Sequence, residues 1–527
     1  MLKNILTVGG WTLASRVLGF ARDMLIAALA GTGPIADAFF VALKLPNLFR
    51  RLFGEGAFNA AFIPEFTGIL HTEGPSSARQ FAQEAFAVMA FWLSLMTIAG
   101  EVFMPQLMLV LAPGFSEDPA KFQLAVDLSR ITFPYLLLIC LAALISGVLN
   151  GLEKFTAAAA SYVLFNIVSI ACMLWMTPYV PTVGHALSWG VSISGALQLL
   201  LLMEALRRGG MSFHIPRPRL TPRMRILLRR MAPGLVGAGV TQLNLAVDVI
   251  IASLLPPGTV SVLYYADRVQ QLPLGVIGTA VGTALLPALS RLIRGGEAGL
   301  ALTTLNRAME YALYLTLPAA LALVVSAYPI ILVLFGRGAF DPVSVLFSAQ
   351  CLAAYAVGLP AFVAVKVLMP AFFARGDTAM PVKVGTFCVA LNLGLNLVFM
   401  KPLAHVGPAL ATSLAAMTNV ALLGLILVRR GQFRPDRLFY RRVVAMIGAS
   451  VLMAAVLYLA DIWLFPAAAI PRMHTAHRFA ALAALIAAGM VSYGIAAQLL
   501  GAYDLRDAAR MMRRRRSRPL TTTSTKA

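Results

Sequence analysis

Leu18-Gly-Phe-Ala-Arg-Asp-Met-Leu-Ile-Ala-Ala-Leu29 and Leu243-Asn-Leu-Ala-Val-Asp-Val-Ile-Ile-Ala-Ser-Leu254 align at a shift of 225 residues with six identities in twelve. Both stretches are apolar, and Asp23 of the first falls on Asp248 of the second. The same shift lays Phe39-Phe40 on Tyr264-Tyr265, and a shift of 223 lays Phe62-Ile63-Pro64 on Leu285-Leu286-Pro287. At a shift of 226, Pro134 meets Pro360 and Asn166 meets Asn392. Apolar composition alone produces Leu and Ala matches, so the weight rests on the paired Asp, Pro and Asn positions. The chain reads as two parallel copies of one unit.

Composition says what kind of unit it is. Of 527 residues, 59% are hydrophobic and only 12% charged, and the mean hydropathy is +0.81. A soluble domain carries about 25% charge, so a large water-soluble enzyme is excluded. Apolar segments of membrane-crossing length recur from end to end. They fall at 4–30, 35–53, 80–111, 122–150, 155–178, 183–206, 230–255, 259–290, 305–336, 342–373, 379–400, 406–428, 440–465 and 476–501. The expected fold is an all-α polytopic membrane protein of about 14 transmembrane helices. The repeat divides it into two six-helix lobes, 1–207 and 230–430, related by a pseudo-two-fold axis. A basic linker, 208–229, joins them; two extra helices occupy 431–503 and a basic tail 504–527. Six spans per copy is an even number, so the lobes share orientation, the architecture in which one half rocks against the other around a central site.

Arg16, Arg22 and Asp23 interrupt what would otherwise resemble a signal-peptide core, and no small-residue cleavage site follows, so this segment is expected to stay in the mature protein. Basic residues set the orientation. Arg207, Arg208, Arg217, Arg219, Arg223, Arg225, Arg229 and Arg230 follow the sixth span, and Arg429, Arg430, Arg434, Arg437, Arg441 and Arg442 the twelfth. The connections 31–34, 177–183 and 256–259 hold no Lys or Arg, and 112–121 holds only Lys121. Positive-inside bias places both termini in the cytoplasm. The same rule, with attraction to anionic headgroups, accounts for the net charge of +21 and for Arg513 to Arg516, so no nucleic-acid partner is expected. Cys140, Cys172, Cys351 and Cys388 lie in apolar spans without CxxC spacing, and the six His are scattered, so neither a disulfide framework nor a metal cluster is expected.

The candidate site comes from charges that a membrane span does not ordinarily tolerate. An ionised side chain near a bilayer centre costs about 2.5–3.5 kcal/mol on insertion scales, so such groups face cavities or pathways. Arg16 and Asp23 lie about 20° apart on a helix, two turns along one face, with Arg22 pointing about 120° from Arg16. In the second copy Thr241 and Val247 stand where the first has Arg16 and Arg22, so the arginines are additions to the scaffold. An ion pair to Asp23 or Asp37 is the structural alternative for both. The second span adds Asp37, Lys44, Arg50 and Arg51, followed by Glu55; the eighth adds Asp267 and Arg268 after the paired tyrosines. Arg50 and Arg51 stand at a predicted cytoplasmic end, where snorkelling arginines are ordinary. Arg forks match phosphate oxygens, so converging arginines suit a large polyanion better than a neutral solute. Asp248, with no cation in its own helix, is the candidate for proton or sodium coupling. Glu101, Lys366 and Asp461 carry charge inside apolar spans without a pattern that specifies a role.

These residues carry a specific resemblance. Ser15-Arg-Val-Leu-Gly-Phe-Ala-Arg-Asp23, Asp37-Ala-Phe-Phe-Val-Ala-Leu-Lys-Leu-Pro-Asn-Leu-Phe-Arg-Arg51, Gly54-Glu-Gly-Ala-Phe58 and Tyr264-Tyr-Ala-Asp-Arg268 resemble the MurJ (MviN) family of lipid II flippases, of the MOP superfamily. The likeness runs end to end, through Ala112-Pro-Gly-Phe115 to the two terminal helices. It implies a transporter, not an enzyme, of the bacterial cytoplasmic (inner) membrane. Such a protein moves the undecaprenyl-diphosphate-linked disaccharide-pentapeptide of peptidoglycan synthesis from the cytoplasmic to the periplasmic leaflet. It also implies that Arg16, Arg22, Arg50 and Arg268 hold the diphosphate, supported by Asp23, Asp37, Lys44, Arg51, Glu55 and Asp267. Lipid II, membrane phospholipids and cell-wall synthesis proteins are the implied partners. No cofactor is implied; membrane potential, sodium and proton are the candidate driving forces, with no complete cation site in the sequence. The alternative is another exporter of the superfamily for oligosaccharide-lipids or drugs; drug exporters usually select cations, for which an arginine-rich cavity is poorly suited. A membrane-embedded glycosyltransferase or phosphatase needs a catalytic cluster in its loops, and the external connections are short and nearly free of such residues.

Overall fold

The structure, a computed structural model, describes residues 2–51, 57–211, 214, 216–466 and 473–502. Glu55 with Gly54 and Gly56, the side chain of Thr241, and the basic tail with Arg513 to Arg516 lie outside the described residues. Among the described residues there are eighteen α-helices and no strand. The first copy comprises α1 (Leu2–Ala30), α2 (Pro34–Phe49), α3 (Ala57–Thr72), α4 (Pro75–Val102), α5 (Met104–Leu111), α6 (Pro119–Thr132), α7 (Tyr135–Gly151), α8 (Phe155–Met176) and α9 (Val183–Arg208). The second comprises α10 (Pro222–Ser253), α11 (Thr259–Arg294), α12 (Ala298–Val325), α13 (Ala327–Phe335), α14 (Pro342–Phe373), α15 (Ala379–Phe399) and α16 (Val406–Arg429), after which α17 (Arg437–Leu464) and α18 (Thr475–Leu499) close the chain. Ten of the described helical stretches are long and apolar enough to cross a membrane. The four others among the fourteen expected, α1, α2, α10 and α11, hold most of the candidate site; α2 has 16 residues, and the rest carry charge inside their apolar stretch.

Three expected spans are broken helices, for reasons proline supplies. Pro105 has no N–H for the Glu101 carbonyl four residues before it, so α4 ends at Val102 and α5 begins at Met104. The Arg130 guanidinium donates to that Glu101 carbonyl at 3.3 Å. Val325 and Pro329 stand in the same relation in the second copy, where α12 gives way to α13. Pro134 separates α6 from α7, yet its repeat partner Pro360 sits inside an unbroken α14. Pro360 leaves the Ala356 carbonyl without its helical donor and α14 nevertheless continues; within one turn of it Ser413 donates to the Ala354 carbonyl at 2.7 Å and Gln270 to Tyr355 at 3.0 Å. The connection expected between the second and third spans holds a further helix, α3, held by a run of stacked rings, Phe58, Phe62, Phe66 and Phe81. Their spacing of four residues along 58–66 places them on one helix face.

The residues fall into two compact units. One comprises the described residues of Met1–Asp267, Leu334–Cys351 and Gly385–Ala411; the other, those of Arg268–Val333, Leu352–Val384 and Thr412–Ala527. In the first unit, Glu153 caps α7 in a left-handed conformation (φ 60°), Lys154 N–H bonds back to Leu149 at 2.8 Å, and Lys154 Nζ donates to the carbonyl of Gly209, beyond the end of α9, at 3.0 Å. In the second unit the repeat-related Gly376 takes φ 78°, Asp377 N–H bonds back to Phe372 at 3.1 Å, and Arg430, beyond the end of α16, donates to Asp377 at 2.7 Å. That hydrogen bond holds the Asp377 carboxyl below its ordinary range. Glycine takes this helix-ending conformation without the Cβ clash that costs other residues about 1–2 kcal/mol. Glu153→Gly is therefore expected to stabilise the protein by about 1 kcal/mol, read as a rise in midpoint on thermal unfolding in detergent.

The two helices outside the repeat dock within the second unit. Glu310 of α12, 5% exposed, accepts from Arg307 at 2.6 Å and from Arg442 of α17 at 2.7 Å. Asn306 donates to the Arg434 carbonyl at 2.7 Å, and the Tyr493 hydroxyl of α18 to the Tyr314 carbonyl at 2.8 Å. Between α12, α17 and α18 lies an apolar groove of about 420 Å³ that includes Pro318, Met453, Leu485 and Met490.

Candidate functional site

The first unit contains α1, α2 and the outset of α11, and with them most of the predicted site. On α1, Ser15 and Gly19 face α8: Asn166 donates to the Ser15 carbonyl at 3.2 Å, and a Cβ at Gly19 would lie 3.5 Å from Asn166 Oδ1. Arg22 leans the same way, its guanidinium carbon 5.3 Å from the Phe165 ring centroid, and turns back to bond Asp23 Oδ1 at 2.9 Å. Adjacent helical residues point about 100° apart, and the length of the arginine side chain bridges that angle, so the ion pair to Asp23 named above as the alternative for Arg22 is present. The pair is buried, Arg22 at 9% and Asp23 at 0% exposure. Asp23 also accepts from the Tyr264 hydroxyl at 3.4 Å, and the Tyr264 ring stacks on Phe40 with centroids 3.8 Å apart.

Arg16 occupies the Asp23 face two turns away and behaves differently. It is exposed, and it has no hydrogen bond or ion pair among the described residues. On α2 the pattern returns: Asp37 is buried, and Lys44, seven residues on and so on the same face, is half-buried without an ion pair among the described residues. Each helix thus carries an acid locked near the α1–α2 turn and a cation about 10 Å farther from it. Arg50 donates from Nε to Asn47 at 3.2 Å at the end of α2, and Arg51 is exposed beside it.

Asp37 is the best-satisfied acid of this unit. Its Oδ2 accepts from Lys121 Nζ at 2.9 Å and Gly258 N–H at 2.7 Å; its Oδ1 accepts from the Ser261 N–H at 2.9 Å and hydroxyl at 2.8 Å. Gly258 and Ser261 form the start of α11, where unpaired N–H groups and the helix dipole favour an anion. Lys121 is 6% exposed, with its ammonium 4.0 Å from the Phe115 centroid. Hydropathy alone puts Lys121 in an external connection, whereas it lies in the first turn of α6. Asp118-Pro119 was the available signal: Asp118 caps α6, accepting from the Ala120 and Lys121 N–H groups, and Pro119 opens it.

Around this hub the α1–α2 turn is closed by the α13–α14 connection. Ala339 N–H donates to the Ala28 carbonyl at 2.8 Å, the Tyr265 hydroxyl to the Gly31 carbonyl at 3.2 Å, and the Thr32 and Ser344 hydroxyls are hydrogen-bonded. Gly338 takes φ 60°, and a Cβ there would overlap the Ala28 carbonyl. Phe20, Tyr265, Phe335 and Phe340 pack beneath, with centroid separations of 5.1–6.0 Å.

Three predicted residues remain. Asp248 of α10 accepts from Asn392 of α15 at 2.9 Å, and buried Asn396 donates to Asn392 at 3.0 Å. The repeat-paired asparagines thus do the same work, each tying its helix to the first helix of its own copy, Asn166 to α1 and Asn392 to α10. Asp267 and Arg268 are half-buried on α11, Asp267 ending a segment of the first unit and Arg268 beginning one of the second, and both are engaged in interactions. Among the described residues no group of three or more His, Cys, Asp or Glu could hold a metal ion.

Known proteins resemble this chain over most of its length. A family model described as "Lipid II flippase MurJ" matches residues 26–468. The chain is 44% identical over 519 residues to a probable lipid II flippase MurJ of Rhizobium meliloti (strain 1021), covering 98% of this chain and 96% of that one. It is 34% identical to the lipid II flippase MurJ of Burkholderia cenocepacia, over 87% of this chain and 90% of that one. Among solved structures, a lipid II flippase MurJ in an inward closed conformation superposes with TM-score 0.78 at 25% identity, covering 94% of this chain and 98% of that one. A multidrug MATE transporter of the MOP superfamily shares the fold, with TM-score 0.66 at 14% identity over 79% of this chain and 94% of that one.

Proposed function

Because this chain belongs to the MurJ family of lipid II flippases, we propose that it carries lipid II across the membrane in which its helices are embedded. It is a multi-pass membrane protein and a transporter rather than an enzyme. The observation that carries the reading is 44% identity to a probable lipid II flippase over almost the whole of both chains. The location is the bacterial inner membrane, with both termini cytoplasmic, the direction is outward, and the fourteen-span, two-lobe plan of the sequence applies.

The chemistry of the first unit suits this substrate. A diphosphate and peptide carboxylates cannot cross hydrocarbon without partners to replace their hydration. Arg16 and Lys44 supply cations without ion pairs of their own among the described residues, and Arg22, paired to Asp23, needs only to exchange one anion for another. Arg50 and Arg268 complete the proposed diphosphate contacts, with Arg51, Glu55 and Asp267 supporting them. In an alternating cycle the contacts of the α1–α2 turn close the outer side while substrate enters from the inner one, and their release opens the outer side. Outward movement of an anion is favoured by about 2.3 kcal/mol per charge per 100 mV crossed, so the membrane potential serves as driving force; Asp248, bonded to Asn392, is the candidate for sodium or proton coupling. Phospholipids and cell-wall synthesis proteins complete the proposed partners.

The test is translocation of lipid II by the purified protein in proteoliposomes. Wild type is expected to move it, and Arg16→Ala to lower the rate roughly tenfold by loss of one charge-assisted contact, with unchanged thermal midpoint because Arg16 has no hydrogen bond or ion pair among the described residues. Absence of lipid II movement by wild type overturns the reading; an unaffected Arg16→Ala overturns the anion-contact role.

A further inference from the structure

We infer that Lys366 of α14 is a further substrate-contacting cation, one that takes a carboxylate of the peptide carried by the lipid-linked substrate; the inference rests on the lipid II reading above. Lys366 is half-buried and has no hydrogen bond, ion pair or ring contact among the described residues. Three other cations of the second unit are paired with acids: Arg307 and Arg442 with Glu310, Arg430 with Asp377. An ammonium inside an apolar span is costly, and among the described residues no acid pairs with it.

The side chain is also housed. A Cβ at Gly278 of α11 would lie 2.8 Å from Lys366 Cδ and 2.9 Å from Nζ, so the lysine stem runs into a notch that α11 provides by having glycine there. A snorkelling lysine runs along the lipid-facing surface toward water; this one runs along the backbone of a neighbouring helix, and Val363, Val367 and Leu368 beside it on α14 are buried. The repeat shift of 226 lays Lys366 on Cys140, so the cation is an addition of the second copy, as Arg22 is of the first. A diphosphate favours the fork of arginine, whereas the compact single charge of lysine suits a lone carboxylate.

The experiment compares two substrates on the full-length reconstituted protein: lipid II with free peptide carboxylates, and the same lipid with those carboxylates amidated. Wild type is expected to bind the free-carboxylate form about tenfold more tightly, and Lys366→Met to lose roughly tenfold on that form while matching wild type on the amidated one. Lys366→Arg keeps most of the preference. Gly278→Ala, which retains the charge but displaces the amine, reduces the preference, and it keeps the inference testable should Lys366→Met fail to fold. Equal losses on both substrates place Lys366 on another group and overturn the carboxylate assignment. A Lys366→Met protein with wild-type preference overturns the contact itself. Wild type that binds and moves neither lipid overturns the lipid II reading and this inference with it.

Discussion

Joining Thr32→Cys to Ser344→Cys by a disulfide stops lipid II translocation, and reductant restores it. Thr32 lies in the α1–α2 turn and Ser344 in the first turn of α14, with their hydroxyls in hydrogen-bond contact. Ser344 is held in place by its own N–H bond to Asp341 Oδ1 at 2.7 Å, and the turn by the Ala339 to Ala28 and Tyr265 to Gly31 bonds. A covalent link here is compatible with the closed arrangement and incompatible with any state in which the turn and the α13–α14 connection separate. The background must lack Cys140, Cys172, Cys351 and Cys388, because Cys351 lies two helical turns from Ser344. The measurement is lipid II movement in proteoliposomes before oxidation, after it and after reduction. An oxidised protein, crosslinked to completion, that translocates at the reduced rate would show that this closure does not open during transport.

The second large effect is expected at Asp37. Asp37→Asn removes the charge opposite Lys121, a residue only 6% exposed, and turns an acceptor of the Gly258 and Ser261 N–H groups into a partial donor. Breaking one side of a buried pair costs about 3–5 kcal/mol, because the other charge is left in a poorly solvated site. Lys121→Met alone should also be costly, since it leaves the carboxylate with only neutral donors. The double variant should recover part of either loss, as replacing both charges is milder than replacing one. Ser261→Ala, which removes one hydroxyl donor of four, should cost only about 1 kcal/mol. Thermal unfolding of the four proteins in detergent reads these values directly. A double variant no more stable than its worse parent would mean that Asp37 and Lys121 do not act as a pair.

The boundaries of the helices were legible in the sequence to different degrees, and proline accounts for much of the difference. Hydropathy sees Glu101 to Pro105 and Val325 to Pro329 as parts of uninterrupted apolar runs, whereas the missing N–H groups break the helix at both places. Pro360 lacks the same N–H and leaves α14 intact, so a proline in the sequence does not by itself say where a helix breaks. The helix α3 carries no hydropathy signal of its own because it sits between spans, and its phenylalanines form a packing face only once the segment is helical.

By itself the sequence determined the membrane class, the twofold repeat and the charged positions of α1, α2 and α11, because solvent transfer and helical periodicity act on each segment separately. Pairing belonged to the tertiary structure. Asp37 meets Lys121 across 84 positions and Ser261 across 224, and Thr32 meets Ser344 across 312. Such contacts depend on how helices are arranged in space, which no local pattern encodes. Only that arrangement distinguished Asp37, consumed by four donors, from Arg16, which keeps its charge unpaired among the described residues.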